Sequence, residues 1–161
     1  MTTRVKNKTA LKRRKPLRKQ AKLKTRGWYT NNLEVIAKVF SKQRDGFVCQ
    51  MTGEKVSGTN AHASHVIPKS LGLRFKFDLE NLKCLSYHSH INVWHKDPAR
   101  AWEWFKVAFP SRAAHLDNIR RQKLEISTAQ LAEFYDKARA CKDWMEYNML
   151  FKREMKPFIR S

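Results

Sequence analysis

Apolar positions set the first element. Leu33, Ile36, Ala37 and Phe40 recur at helical spacing, Asn31 and Glu34 have the spacing of a capping box, and Gly46 suits a stop. This pattern predicts a helix over about 31–44. Between Phe47 and Ile67 the pattern changes to short segments rich in Val, Thr and aromatic residues. They are punctuated by the turn formers Thr52-Gly53-Glu54 and Ser57-Gly58-Thr59-Asn60, so short strands are expected. Pro68 has no N–H to give a ladder and should end the strand that carries His65. Lys69 to Glu80 reads as a loop, Leu82 to Leu85 as a second strand, and Tyr87 to His95 as a helix. Asp97-Pro98 restarts the chain with proline in a first helical turn, and Ala101, Trp102, Phe105 and Phe109 form an apolar stripe ahead of Pro110. Ser127 and Gln130 again have capping-box spacing. A mostly apolar stripe through Leu131, Phe134, Tyr135, Ala138, Cys141, Lys142 and Met145 predicts helix to about Met155. Aromatic residues at helical spacing are read as core.

Charge adds a partner to this picture. The 161 residues carry 34 Lys and Arg against 14 Asp and Glu, a formal charge of +20. Twelve of the basic residues precede Gly27, where no acid occurs, so 22 basic residues face all 14 acids in the rest. Tail and body are both basic, and a polyanion is the economical partner. Residues 1–26 are too charged and too poor in apolar side chains to offset their ordering entropy, and are expected to act as a flexible arm. Residues 27–161 are expected to form one domain, with a core over about 47–96 and flanking helices over about 98–156. Three cysteines without paired spacing argue against a disulfide framework and for a reducing compartment, the cytoplasm by default. No apolar run approaches the roughly 18–20 residues of a membrane span.

The chemistry lies in Ala61-His62-Ala63-Ser64-His65-Val66-Ile67-Pro68 and Glu80-Asn81-Leu82-Lys83-Cys84-Leu85-Ser86-Tyr87-His88-Ser89-His90. Hydrolysis of a phosphodiester needs an activated water and positive charge beside the phosphate oxygens. A neutral imidazole at His65 can take the water proton near physiological pH. Asn81, at a junction of loop and strand, can use its amide to satisfy loop backbone and fix the strand bearing His65. His90 can offer a ring nitrogen to a divalent cation. His62 is the second candidate ligand, although alternation turns it away from His65 in a regular strand. His88 and His95 are further histidines within reach, but His95 follows His90 by five residues, which is not one face of an α-helix.

The order His65, Asn81, His90 resembles the HNH, or ββα-metal, nuclease core. Lys-Pro-Leu-Arg-Lys in the leader, Lys42-Gln43-Arg44-Asp45, Ala63-Ser64-His65-Val66-Ile67, Leu73-Arg74-Phe75, and His95-Lys96-Asp97-Pro98 ahead of Trp104-Phe105 are similar to phage recombination endonucleases of the NinG/Rap type, over about Lys12 to Leu116. The resemblance implies an α+β fold with a small ββα-metal hairpin and helix core surrounded by α-helices. It also implies DNA cleavage in phage-type recombination or DNA processing, with one divalent cation in the site. Mg or Mn heads the list, and a shell rich in histidine also suits Ni or Zn. Arg74 is carried over as a phosphate contact and Lys69 lies in the same loop. Arg13, Arg14, Lys15 and Arg18 in the leader are expected to bind phosphates without reading sequence.

Two departures matter. Many relatives frame the hairpin with two Cys-x-x-Cys pairs that hold a structural zinc, whereas the corresponding places here read Cys49…Thr52 and Ser86…Ser89, so no structural zinc is expected. The acidic or histidine ligand common before the base is Ser64, which leaves a non-catalytic nucleic-acid binder on a degenerate HNH fold as the alternative. A cutter of branched DNA would gain from a homodimer with two symmetric sites, for which the C-terminal helix offers a surface. A phage-encoded protein of this kind would work in the bacterial host cytoplasm.

Overall fold

The computed structural model describes residues 22–160. The expected arm contacts Arg13, Arg14, Lys15 and Arg18 lie outside them. The chain is mixed helix and strand, with two small antiparallel sheets set among helices.

Helix α1 spans Arg26–Arg44, five residues longer at its start than the apolar pattern predicts. Thr25 is the cap: its side chain accepts the Trp28 N–H at 3.2 Å. Glu34, expected as half of a capping box, is instead an interior residue of α1, buried at 6% exposure. The helix stops as anticipated. Gly46 takes φ +62°, with its N–H on the Gln43 carbonyl and the Phe47 N–H on the Lys42 carbonyl, both at 3.0 Å. These are the two bonds of a Schellman stop, and the left-handed backbone explains the glycine.

That stop aims two side chains at the hairpin. The Asp45 carboxylate accepts the Cys84 N–H at 2.7 Å, and the Arg44 guanidinium donates to the carbonyls of Leu79 and Leu82 at 2.5 and 2.7 Å. The hairpin is β1, Ala61–His65, paired antiparallel with β2, Leu82–Ser86, in the register His62 opposite Leu85, Ser64 opposite Lys83 and His65 opposite Leu82. The connection expected to be loop holds a short helix α2, Arg74–Phe77, flanked by 3-10 turns at Lys69–Leu71 and Leu79–Asn81.

After β2 the chain winds as a π-helix over Ser89–Trp94, not the α-helix predicted there. Asp97 then caps α3, Pro98–Ala108, accepting the Arg100 N–H at 3.0 Å, and Pro110 opens α4, Pro110–Ile119. The capping box at Ser127 and Gln130 is present at the start of α5, Thr128–Ala138. The apolar stripe predicted to run on to Met155 is broken: Asp143 caps a separate helix α6, Trp144–Met155, so Cys141 and Lys142 lie in the connection. Strand β3, Lys123–Leu124, pairs with β4, Ile159–Arg160.

Two apolar clusters result. One joins Leu33, Ala37 and Phe40 of α1 to Leu131, Phe134, Tyr147 and Phe151 of α5 and α6, with Phe77, Leu79 and Leu82 from the hairpin side. The other joins Cys84 and Leu85 of β2 and Ile67 to Trp94, Phe105, Leu116 and Ile119. The hairpin is thus gripped from two sides, and what it carries is held by packing and by Arg44 and Asp45.

Candidate functional site

Asn81 is the anchor. It is fully buried, its Oδ1 accepts the Ile67 N–H at 2.7 Å, and its Nδ2 donates to the Ile67 and Phe75 carbonyls at 2.9 and 2.8 Å. Its own carbonyl accepts the Val66 N–H at 2.8 Å. Each strong bond of the amide goes to backbone, so the exit of β1 immediately after His65 is locked to the entry of β2.

His65 faces an open cleft of about 730 Å³ that is also lined by Lys38, Lys69, His90, His95, Trp102 and Arg120. Its Nε2 is buried without a hydrogen-bond partner among the described residues. Burial pushes its pKa down to about 4; the Glu34 charge works against this, and Lys38 and Lys69 reinforce it. The ring is therefore neutral at physiological pH, the form that accepts a proton.

The rim of the cleft was not legible beforehand. Glu34 accepts from Lys38 at 2.6 Å and from Lys69 at 2.7 Å, with Lys76 at 4.0 Å. Burial raises the Glu34 pKa, but the hydrogen bonds of Lys38 and Lys69 outweigh it and hold the group at about 2. One carboxylate among three ammonium groups leaves the rim net positive and fixes where two of the lysines sit.

The second half of the site is a chain of imidazoles. His62 Nδ1 lies 2.9 Å from His90 Nδ1, and His90 Nε2 lies 3.0 Å from His95 Nε2. His62 Nε2 is 3.0 Å from the Thr59 carbonyl, which only accepts, so that nitrogen must carry hydrogen. For neutral rings the rest follows: His62 Nδ1 accepts, His90 Nδ1 donates to it, and His90 Nε2 presents its lone pair toward His95. Burial, and then the neighbouring His95 and His62, lower the His90 pKa to about 4, which keeps the ring neutral.

The π-turn is why His95 participates. Its N–H bonds to the His90 carbonyl at 3.2 Å, an i to i+5 bond, and this winding brings residues five apart onto one face. An α-helix would have separated them, which is why sequence spacing argued against His95. His62 has both nitrogens engaged in this rotamer and acts on His90 as its orienting acceptor. His88 stands apart, its ring 3.2 Å from the Asn92 amide. Among the described residues no three His, Cys, Asp or Glu side chains converge on one point that would hold a metal ion.

Position 64 has a different use. Ser64 is buried, and its Oγ accepts from Lys83 Nζ at 3.4 Å. Lys83 is fully buried, with Nζ 3.0 Å from the Trp94 ring centroid. Burial, and then the charge of Arg112, hold its pKa well below the usual lysine range. A lysine thus fills the space beside Ser64, between β1 and the π-helix.

Arg74, expected at a phosphate, is 7% exposed and turned inward to Gln122 and to Asp78, 3.6 Å away. Its position in α2, packed under α4, makes it structural and takes it out of reach of a polymer. Lys69 does line the cleft, with its side chain about half exposed.

Below the hairpin, Cys49, Thr52, Ser86 and Ser89 come together. Cys49 Sγ lies 3.4 Å from Ser89 Oγ, which is 3.1 Å from Ser86 Oγ, and burial of the thiol is outweighed by hydrogen bonding with the Ser89 and Thr52 side chains and the Ser86 backbone, giving it a pKa of about 7. A hydrogen-bonded knot of small side chains occupies this corner.

No protein-family model, no curated protein and no solved structure matches this chain. Among the described residues no helix is long and apolar enough to cross a membrane.

Proposed function

We propose that the protein is a metal-dependent DNA endonuclease of the HNH type, with the hairpin and π-helix as its ββα-metal core. The observation that carries this reading is one cleft lined by a neutral His65 and by the His90 and His95 pair, with Lys38 and Lys69 beside them. In this reading His65 takes the proton of the attacking water. Glu34, the principal charge favouring protonated His65, then steadies the imidazolium. Asn81 keeps the base in place through the Ile67 junction. Lys38 and Lys69 set positive charge where phosphate oxygens would lie.

The donor set fits a divalent cation. His90 and His95 would hold it through their facing Nε2 atoms, while the Nδ1–H of His90 donates to His62, the outer-shell support that ligating histidines ordinarily have. Such a cation supplies charge against the oxygens of the scissile phosphate. Two imidazoles leave further positions for water and phosphate, which suits Mg or Mn, with Ni or Zn as softer options. DNA is the proposed partner, approached from a basic surface; a homodimer and a cytoplasmic setting, in a bacterial host for a phage protein, complete the reading.

The test is cleavage of plasmid and branched DNA with added Mg or Mn. Wild type should nick or cut and chelator should stop it. His65→Ala should bind DNA normally and cut at least about 100-fold more slowly, the size of a lost general base. Undiminished cutting by that variant would remove the assignment. A second reading, a non-catalytic DNA binder on the same fold, draws on Ser64 being committed to Lys83 and on the lack of a three-ligand cluster among the described residues. Tight binding without any metal-dependent cutting would favour it.

A further inference from the structure

One wall of the cleft has no part in the hydrolytic reading. Trp102 of α3 lines it together with Pro98, Trp94 and Arg120, in the same cleft as Lys38 and Lys69. Phe105 backs the Trp102 ring nearly parallel, at 17° with centroids 5.8 Å apart, and the Arg120 guanidinium carbon lies 5.9 Å from the same ring. Arg120 itself is exposed. A rigidly backed indole with an exposed guanidinium over it, in one cleft with two lysines, has the make-up of a stacking platform for a base whose phosphate those cations hold. A cleft of about 730 Å³ is of the size that takes up a nucleotide.

We propose that Trp102 and Arg120 receive an unpaired nucleobase of the DNA strand beside the scissile phosphate, so that the protein selects DNA with single-stranded or unpaired nucleotides over continuous duplex. The inference deepens the nuclease reading and rests on it for the position of the phosphate. Stacking is indifferent to base identity, so the selectivity is for structure and not for sequence. Trp102 is a binding residue here and takes no part in proton transfer.

The test uses the full chain in chelator, so that binding is read without cutting. The probes are a single strand of about ten nucleotides carrying one 2-aminopurine, a duplex of the same sequence, and that duplex with an unpaired bulge. Wild type is expected to quench the 2-aminopurine and to bind the strand and the bulged duplex more tightly than the plain duplex. Trp102→Ala should lose about 5- to 150-fold on the strand, the range for one stacked base, and lose the quenching, with little change on plain duplex. Trp102→Phe should keep most of both. Arg120→Ala, at an exposed position, should lower the slope of log affinity against log salt by about 0.7 on the strand. Unchanged strand affinity and quenching in Trp102→Ala, or an equal loss on plain duplex, would overturn the proposal. Should Trp102→Ala fail to fold, an unaltered salt slope in Arg120→Ala overturns it instead. Cutting by wild type without quenching defeats this inference alone, whereas quenching without cutting defeats the nuclease reading and leaves the platform standing.

Discussion

His90 and His95 stand one π-turn apart: the backbone N–H of His95 bonds to the His90 carbonyl at 3.2 Å while their Nε2 atoms face each other at 3.0 Å. Backbone winding and side-chain pairing are therefore one feature. A π-turn inside a helix gives up regular α bonding, and such turns concentrate where function needs the displaced side chain. His95→Ala should weaken binding of Mn or Ni at least tenfold in calorimetric titration. His62→Ala, which removes the acceptor that fixes the His90 tautomer, should cost about 10- to 100-fold in metal affinity or activity, the usual range for an outer-shell partner. Equal metal affinity in wild type and both variants would show that the imidazole chain is not a metal site.

A second expectation concerns pH. The His65 pKa is about 4 in the fold against an ordinary value of 6.5, with burial as the main cause. Between these two values the unfolded chain takes up a proton that the folded protein refuses, so stability is full above pH 6.5 and falls as pH is lowered toward 4. Comparing thermal melts of wild type and His65→Asn at several pH values isolates the effect: the variant should lose less stability over that window. Cutting, if His65 is the base, should show no limb from this group above about pH 5 and should fall off below it. A His65-dependent stability change centred above pH 6.5 would contradict the buried neutral ring.

Asn81 offers a test of the scaffold apart from the chemistry. Its amide makes three bonds to the Ile67 and Phe75 backbone in a fully buried setting. Asn81→Ala leaves one N–H and two carbonyls without partners, at about 1–3 kcal/mol for each group left buried and unpaired. Because the site can relax or admit water, a net loss of about 2–4 kcal/mol is expected, read as a lower urea midpoint at unchanged slope. Asn81→Asp should be no better, since a carboxylate accepts from Ile67 but meets two carbonyls where an amide donated. A loss below about 0.5 kcal/mol for both, the range of ordinary surface changes, would mean that the junction is held elsewhere.

These residues show how far the sequence was readable. The hairpin strands, the capping box at Ser127 and the Gly46 stop are local events: a few neighbouring residues decide them, and the pattern displays them. The spacing of Asn31 and Glu34 satisfies a capping rule in any chain, so it does not tell a cap from an interior glutamate. Only the tertiary arrangement reveals that Thr25 caps α1 and that Lys38 and Lys69 gather on Glu34. His95 escapes spacing arguments for a related reason: they assume the 3.6-residue turn, and the π-turn alters the period on which they depend. Arg74 shows the reverse error, a motif match carrying an exposed role to a side chain that packing turned inward. Likewise the break of the C-terminal stripe at Asp143 is hidden by a pattern that continues in phase across two helices.

The corner formed by Cys49, Thr52, Ser86 and Ser89 gives the last expectation. Two pairs, each with two intervening residues, come from separate segments and meet with Sγ and Oγ atoms 3.4 and 3.1 Å apart. Paired ligands at that sequence interval, drawn from two turns, are what a tetrahedral zinc site requires, and only thiolates are lacking. Hydrogen bonds close the corner in their place: Ser86 Oγ accepts the Ser89 N–H at 3.3 Å, and the Cys49 N–H bonds to the Glu54 carbonyl at 2.8 Å. Replacing Thr52, Ser86 and Ser89 together by cysteine should therefore create a zinc site where the present chain has one thiol. The triple variant should take up one equivalent of zinc per chain, with Co substitution giving the absorption of a tetrahedral thiolate site, and its melting temperature should rise with zinc and fall on chelation. The added metal should leave DNA binding unchanged, because none of the four residues lines the cleft. Absence of stoichiometric zinc uptake in a folded triple variant would show that these four side chains, although in contact, do not present a tetrahedral set.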